Sequence, residues 1–136
     1  MLVAVSSPWA SEKIFETVRD LAGRLEASVV VAHVARATES DETEDDTRQR
    51  ADQTLATLTE KLKDVGIPAE SVLLFGDDVA RAVLNAANAQ HATVLVLGLS
   101  GRGRVARLIA GDVPQQIVKA ADIPVFLFPP DWSGTV

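Results

Sequence analysis

Hydrophobic residues along this chain form five short runs, separated by stretches in which apolar positions recur at helical spacing. The runs are aliphatic and rich in β-branched residues, which is typical of strands buried on both faces. They predict five strands, at Leu2 to Val5, Val29 to Val34, Val72 to Phe75, Thr93 to Leu97 and Pro124 to Phe128.

Four stretches between the runs carry the spacing of amphipathic helices. Gly66 and Pro68 are expected to end the second helix, and an acid of the turn at 76–78 is expected to cap the third. The predicted helices are a first one capped by Ser11 with Ile14, Val18, Leu21 and Leu25 on one stripe, a second from Thr47 to Val65, a third carrying Val79, Val83 and Ala86, and a fourth from Val113 to Ala121.

Strands that alternate with helices predict an α/β fold with an open, doubly wound parallel sheet and helices on both faces, in the Rossmann-like class. The length of 136 residues suits one domain, spanning 1–136. Ligands of such sheets bind at the carboxyl ends of the strands where the winding reverses. The candidate turns are therefore 6–9, after the first strand, and 98–111, after the fourth.

The amino-acid composition excludes several kinds of site and partner. The chain has no cysteine and two histidines, so a disulfide scaffold, a thiol nucleophile and a cysteine-based zinc site are excluded. We expect a cytoplasmic protein without a membrane partner, because no leader and no run of about 20 apolar residues is visible.

The net charge of −6 comes from one acidic segment of the chain. Six acidic residues lie within 39–46, and the remaining 13 acidic residues balance the 13 basic ones. A solvated acidic loop is expected there, with a docking segment for a basic protein partner as the alternative. Nucleic acid is not an expected partner, because it requires a broad basic surface.

A glycine-punctuated loop follows the fourth strand and resembles a phosphate cradle, since glycines and a helix N-terminus can approach an anion closely. Asp112 places a carboxylate at the mouth of that cradle. Arginines of the same loop either hold an anion, remain solvated or pair with Asp112. The residues concerned are Gly98, Gly101, Arg102, Arg104, Arg107, Gly111 and Asp112.

Catalytic alternatives lack support. The pattern Gly101-x-Gly103-x-x-Ala106 matches a loose fingerprint of dinucleotide-binding sites. It follows the fourth predicted strand, whereas the fingerprint follows the first strand of such folds. The spacing of a serine nucleophile elbow is not met. His33 lies on an apolar strand, where a hydrogen-bonded structural role is favoured over catalysis, and no catalytic or metal-binding residue is assigned.

The spacing Gly98-x2-Gly101-x9-Gly111-Asp112, with His33-Val34 closing the second strand, resembles the universal stress protein signature. The resemblance runs from Leu2 to Phe128. It implies the sheet order 3-2-1-4-5 and a small cytoplasmic stress-response protein that forms homodimers. Family members divide into those that bind ATP and those that do not.

In the ATP binders an aspartate ends the first strand, and the signature ends in a serine or threonine that contacts phosphate. This chain has Ser6 and Asp112 at those positions, while Val34 takes the place beside the adenosine. A carboxylate a few ångström from a phosphate is repelled by several kcal/mol, on the order expected at an effective dielectric constant near 20.

The resemblance and its departures lead to one functional hypothesis. The chain is expected to be a stress protein with a degraded nucleotide pocket and no cofactor, acting through protein contacts and a homodimer formed by strand 124–128. The alternative is an ATP-binding member that uses Mg²⁺ and works as a switch or a slow ATPase.

Overall fold

The computed structural model describes residues 1–35, 44–98, 113–129, 132 and 134. Its five strands form one parallel sheet in the order β3-β2-β1-β4-β5, which confirms the predicted topology. The central strand β1 pairs with β2 and β4, so that Val3 lies between Val31 and Val96. The strands are β1 (Leu2–Ala4), β2 (Val29–Ala35), β3 (Ala69–Phe75), β4 (Leu95–Gly98) and β5 (Val125–Phe128).

Helices cover both faces of the sheet. Alternate residues of β1 point to opposite faces, so Val3 joins the core cluster under α1 and α2, whereas Leu2 joins the cluster that contains Val83 and Ile117. The helices are α1 (Pro8–Leu25), α2 (Glu44–Asp64), α3 (Val79–Ala89) and a helical stretch over the described residues 113–120, here α4.

Helix α1 begins earlier than the sequence analysis predicts. Its N-cap is Ser7, whose Oγ accepts a hydrogen bond from the Ala10 amide at 3.1 Å, and Pro8 occupies the first turn. Proline suits that position because its fixed φ is helical and the missing N–H is unpaired there anyway. The prediction of Ser11 as the cap is therefore wrong: Ser11 is buried, and its Oγ donates to the Thr54 carbonyl oxygen of α2 at 2.7 Å.

The last three residues of the acidic loop predicted at 39–46 are helical, so that part of the prediction is wrong. Glu44, Asp45 and Asp46 form the start of α2, and residues 39–43 lie outside the described residues. Carboxylates in the first turn of a helix interact favourably with its unpaired N–H groups. This local attraction explains how an acidic stretch begins a helix. The helix ends as predicted, with Gly66 at φ +83°.

Two further boundaries show where pattern reading succeeds and fails. Asp78 caps α3 as expected, because its carboxylate accepts from the Arg81 amide at 3.1 Å. Strand β3 begins at Ala69 rather than Val72. The prediction missed its first residues because the polar, exposed Glu70 and Ser71 interrupt the apolar run. β3 is an edge strand of the sheet, where polar side chains are tolerated.

In the described parts of the chain, no helix combines the length and the apolar character needed to cross a membrane.

The two serines of α1 can be separated by mutation. We expect Ser7→Ala to lower the free energy of unfolding by about 1 kcal/mol through loss of the cap, and Ser11→Ala to lower it by a similar amount through loss of the bond to α2, about 1 kcal/mol. Urea unfolding measures both changes.

Aspartate substitutions distinguish the two roles. Ser7→Asp should retain most of the stability, since aspartate is a good N-cap. Ser11→Asp should destabilise more than Ser11→Ala, because it buries a carboxylate against a carbonyl oxygen. Equal behaviour of the two aspartate variants would contradict the assignment of the caps.

Candidate functional site

A cleft opens at the carboxyl ends of β1 and β4, the point where the winding of the sheet reverses. It encloses about 430 Å³ of empty space that includes open solvent, and α1 forms one wall. We call it the indole cleft, after the two tryptophans that line it. Its lining residues are Ala4, Val5, Ser6, Trp9, Ala10, Lys13, Ile14, Gly98, Phe128, Pro129 and Trp132.

The structure brings two of the predicted site residues together in this cleft. Ser6 and Gly98 both line it, at the ends of β1 and β4 respectively. Val34 is not among the lining residues and packs instead against the core cluster under α3 and α4. The other predicted residues, Gly101, Arg102, Arg104, Gly111 and Asp112, lie outside the described residues.

Gly98 has a steric role at the floor of the cleft. A Cβ atom at this position would meet Ile14 Cδ1 at 3.3 Å, a tight contact that the isoleucine would have to relieve by moving. The absent side chain therefore leaves room for α1 to approach the end of β4. This close packing is a second use of the glycine, besides the approach to an anion that the sequence suggests.

Trp9 and Lys13 lie one turn apart on α1 and form one side of the cleft. The Lys13 Nζ atom lies 4.8 Å from the centroid of the Trp9 ring, within the range of a cation–π interaction. Both residues are half-buried. The helical spacing of four residues could have revealed this pair, and the sequence analysis missed Lys13.

Trp132 also lines the cleft. Its ring centroid lies 5.5 Å from that of Phe128, and its indole N–H donates to Thr17 Oγ1 at 2.9 Å. The Thr17 hydroxyl in turn donates to the carbonyl oxygen of Gly134. These bonds hold the end of the chain against α1, a contact between residues 115 positions apart that no local pattern predicts.

With this geometry established, comparison with known proteins identifies the family. The family model described as the universal stress protein family matches residues 1–129. The chain belongs to the universal stress protein family.

One curated universal stress protein, described as lying in the QAH/OAS sulfhydrylase 3′ region of Thermus aquaticus, is 32% identical over 80 residues. The match covers 59% of this chain and 58% of that protein, so it spans less than two thirds of the relative.

Solved structures share the fold. A universal stress protein from Archaeoglobus fulgidus superposes with a TM-score of 0.72 at 22% identity, covering 93% of this chain and 95% of that one. The Archaeoglobus fulgidus protein in complex with dAMP gives 0.69 at 21% identity over 93% and 94%. An Arabidopsis thaliana family protein with AMP bound gives 0.62 at 17% identity over 96% and 92%.

His33 of this universal stress protein has the structural role expected from its apolar strand. Its Nδ1 lies 2.8 Å from the carbonyl oxygen of Val5, so the side chain joins the ends of β1 and β2. Among the described residues, no three histidine, aspartate or glutamate side chains lie close enough together to hold a metal ion.

The bond between Trp132 and Thr17 can be tested by fluorescence. Thr17→Val removes the acceptor and leaves the half-buried indole N–H unpaired, at a cost of about 1 to 3 kcal/mol. We expect a red-shifted tryptophan emission and a lower urea midpoint.

Thr57→Val is the matched control, because the exposed Thr57 hydroxyl donates only to Gln53 of its own helix among the bonds observed. It should leave the emission maximum unchanged. An unshifted emission in Thr17→Val would contradict the contact.

Proposed function

We propose that this universal stress protein is a non-enzymatic stress-response protein whose cleft excludes a nucleoside triphosphate and which acts as a homodimer through protein contacts. The observation that carries this proposal is the chemistry of the indole cleft. Its described walls are mainly aromatic rings and aliphatic groups, with Ser6 and Lys13 as the polar side chains besides the two indoles, where a triphosphate would need several donors or positive charges.

The end of β1 supports the proposal. Ser6 is exposed at the rim of the cleft, where the ATP-binding pattern has an aspartate. A neutral hydroxyl forms weaker hydrogen bonds than a carboxylate does, because charge-assisted bonds are roughly twice as strong. The position that would fix a nucleoside is therefore weakened.

The charge of Asp112 adds a second obstacle, argued from sequence alone. At the last position of the glycine signature, its carboxylate can accept the N–H groups that a phosphate would use, and it repels a phosphate oxygen. Weak nucleoside contacts and a negative charge in the phosphate loop together disfavour ATP.

A second candidate is an ATP-binding member that uses Mg²⁺ and acts as a switch or a slow ATPase. It is favoured by the complexes of similar structures with dAMP, cAMP and AMP, and by the retained glycines of the signature. Arg102 and Arg104 would then compensate the Asp112 carboxylate.

Titration with ATP separates the two candidates. Both tryptophans line the cleft and the chain contains no tyrosine, so its tryptophan emission reports on this region. We expect no saturable change up to millimolar ATP, with or without Mg²⁺. Micromolar binding, measured by fluorescence or calorimetry, would favour the second candidate.

Substitutions that restore the ATP-binding pattern at residues 6 and 112 test the electrostatic argument. We expect the double variant Ser6→Asp with Asp112→Ser to gain affinity for ATP by at least about tenfold, which corresponds to about 1.4 kcal/mol. Calorimetry of the double variant and both single variants measures the gain. An unchanged affinity would mean that the obstacle is steric.

The homodimer is proposed to form through β5. This strand ends the sheet, and Leu127 on it is 42% exposed, so an apolar edge is presented for pairing. We expect Leu127→Lys to convert a dimer into a monomer in light scattering. Val118→Lys, at a comparably exposed apolar position on α4, should leave the dimer intact.

A further inference from the structure

The chain folds back on itself directly after β5, at Pro129, Trp132 and Gly134, which we call the terminal latch. The Trp132 amide donates to the Pro129 carbonyl oxygen at 3.0 Å, so the backbone turns as soon as β5 ends at Phe128. The turn places the Trp132 ring centroid 5.5 Å from that of Phe128. Pro129 and Trp132 both line the indole cleft, so the terminal latch forms part of its wall.

One buried hydroxyl holds the terminal latch against α1. Thr17 is fully buried, and its Oγ1 accepts from the Trp132 indole N–H at 2.9 Å and donates to the carbonyl oxygen of Gly134. A threonine hydroxyl has one proton to donate, and here both its donor and an acceptor site are used by the latch. Thr17 is therefore a specific docking point for this part of the chain.

The terminal latch can open without disturbing the sheet. β5 pairs with β4 only as far as Phe128, so no strand pairing is lost when the latch leaves. Water would replace the two bonds to Thr17, and hydrogen bonding therefore favours closure only modestly. Closure is favoured mainly by removal of the Trp132 and Phe128 rings from water and by their mutual contact. A segment near a chain end with few contacts opens at lower free energy than the whole fold does.

The closed latch covers the apolar floor of the cleft. Trp132 packs against the core cluster that contains Val5, Ile14 and Phe128, and these three residues also line the cleft. All three are less than a tenth exposed. The indole of Trp132 is thus an occupant of the cleft that the chain itself provides.

We propose that the terminal latch is an autoinhibitory closure of the indole cleft, which opens locally, without unfolding of the domain, and controls access to Val5, Ile14 and Phe128. This inference goes beyond the proposed function, because it concerns access to the cleft rather than the identity of what enters it. Trp132 and Gly134 lie beyond the residues matched by the family model, so the inference comes from the contacts of this chain alone.

Thiol labelling tests the proposal, because the chain contains no cysteine and a single introduced one reports on its own site. Val5→Cys places a thiol at the floor of the cleft. Val83→Cys is the matched control, since Val83 is equally buried but belongs to the core cluster on the other face of the sheet. Reaction of the full chain with N-ethylmaleimide is followed by mass spectrometry.

Local opening predicts different rates at the two positions. We expect Val5→Cys to react at least about tenfold faster than Val83→Cys, because local opening costs less free energy than global unfolding. Low concentrations of urea should accelerate Val83→Cys steeply and Val5→Cys little, since the effect of urea scales with the surface exposed. Equal rates, or an equal dependence on urea, would overturn the proposal.

Variants of the latch show whether Trp132 is the closure. In the Val5→Cys background, Thr17→Val removes the docking hydroxyl and Trp132→Ala removes the ring, and both should raise the labelling rate several-fold. Thr17→Ser retains the hydroxyl and should restore the slow rate. In the Val83→Cys background these changes should alter the rate only as far as they lower global stability in urea unfolding.

The result that contradicts the latch is equally definite. A Val5→Cys rate that neither Thr17→Val nor Trp132→Ala changes would show that Trp132 does not close the cleft. Labelling as fast in Thr17→Ser as in Thr17→Val would show that the hydroxyl does not hold it. Labelling uses no nucleotide, so it decides the latch alone, whereas the ATP titration decides the proposed function.

Discussion

The pairing of β1 with strands on both of its sides is the constraint on which the rest of the molecule depends. β1 is only three residues long, yet Leu2 and Val3 are fully buried and each faces a different core cluster. The chain adds β2 and β3 on one side of β1 and then adds β4 and β5 on its other side, so the winding of the sheet reverses at β1. The cleft at the carboxyl end of β1 is a direct consequence of that reversal.

Helix α1 then determines the shape of the cleft. Its apolar stripe packs on the sheet, while buried hydroxyls bind partners outside the helix: Ser11 holds α2, and Thr17 holds Trp132. Each of these polar groups is paired, so burial does not leave it unsatisfied. The same helix presents Trp9 and Lys13 to the cleft, and the stability of the fold and the chemistry of the site are therefore linked through one element.

The described lining of the cleft is mainly apolar. It contains three aromatic rings, several aliphatic groups and one lysine. Nucleotide complexes of proteins with the same fold come from chains of low identity, for which the shared architecture does not carry over the chemistry of individual side chains.

Local pattern was sufficient for the alternation of strands and helices, for the helix stop at Gly66 and for the cap at Asp78, because each depends on neighbours in sequence. The strand order was predicted from the family resemblance, because it depends on pairing between strands that are distant in sequence. The reversal rule also located Ser6 and Gly98 at the cleft. The donors of Ser11 and Trp132, by contrast, find partners on distant elements, and periodicity carries no information on such contacts. Only the packing of α1 against the sheet and the chain end decided which side chains surround the cleft.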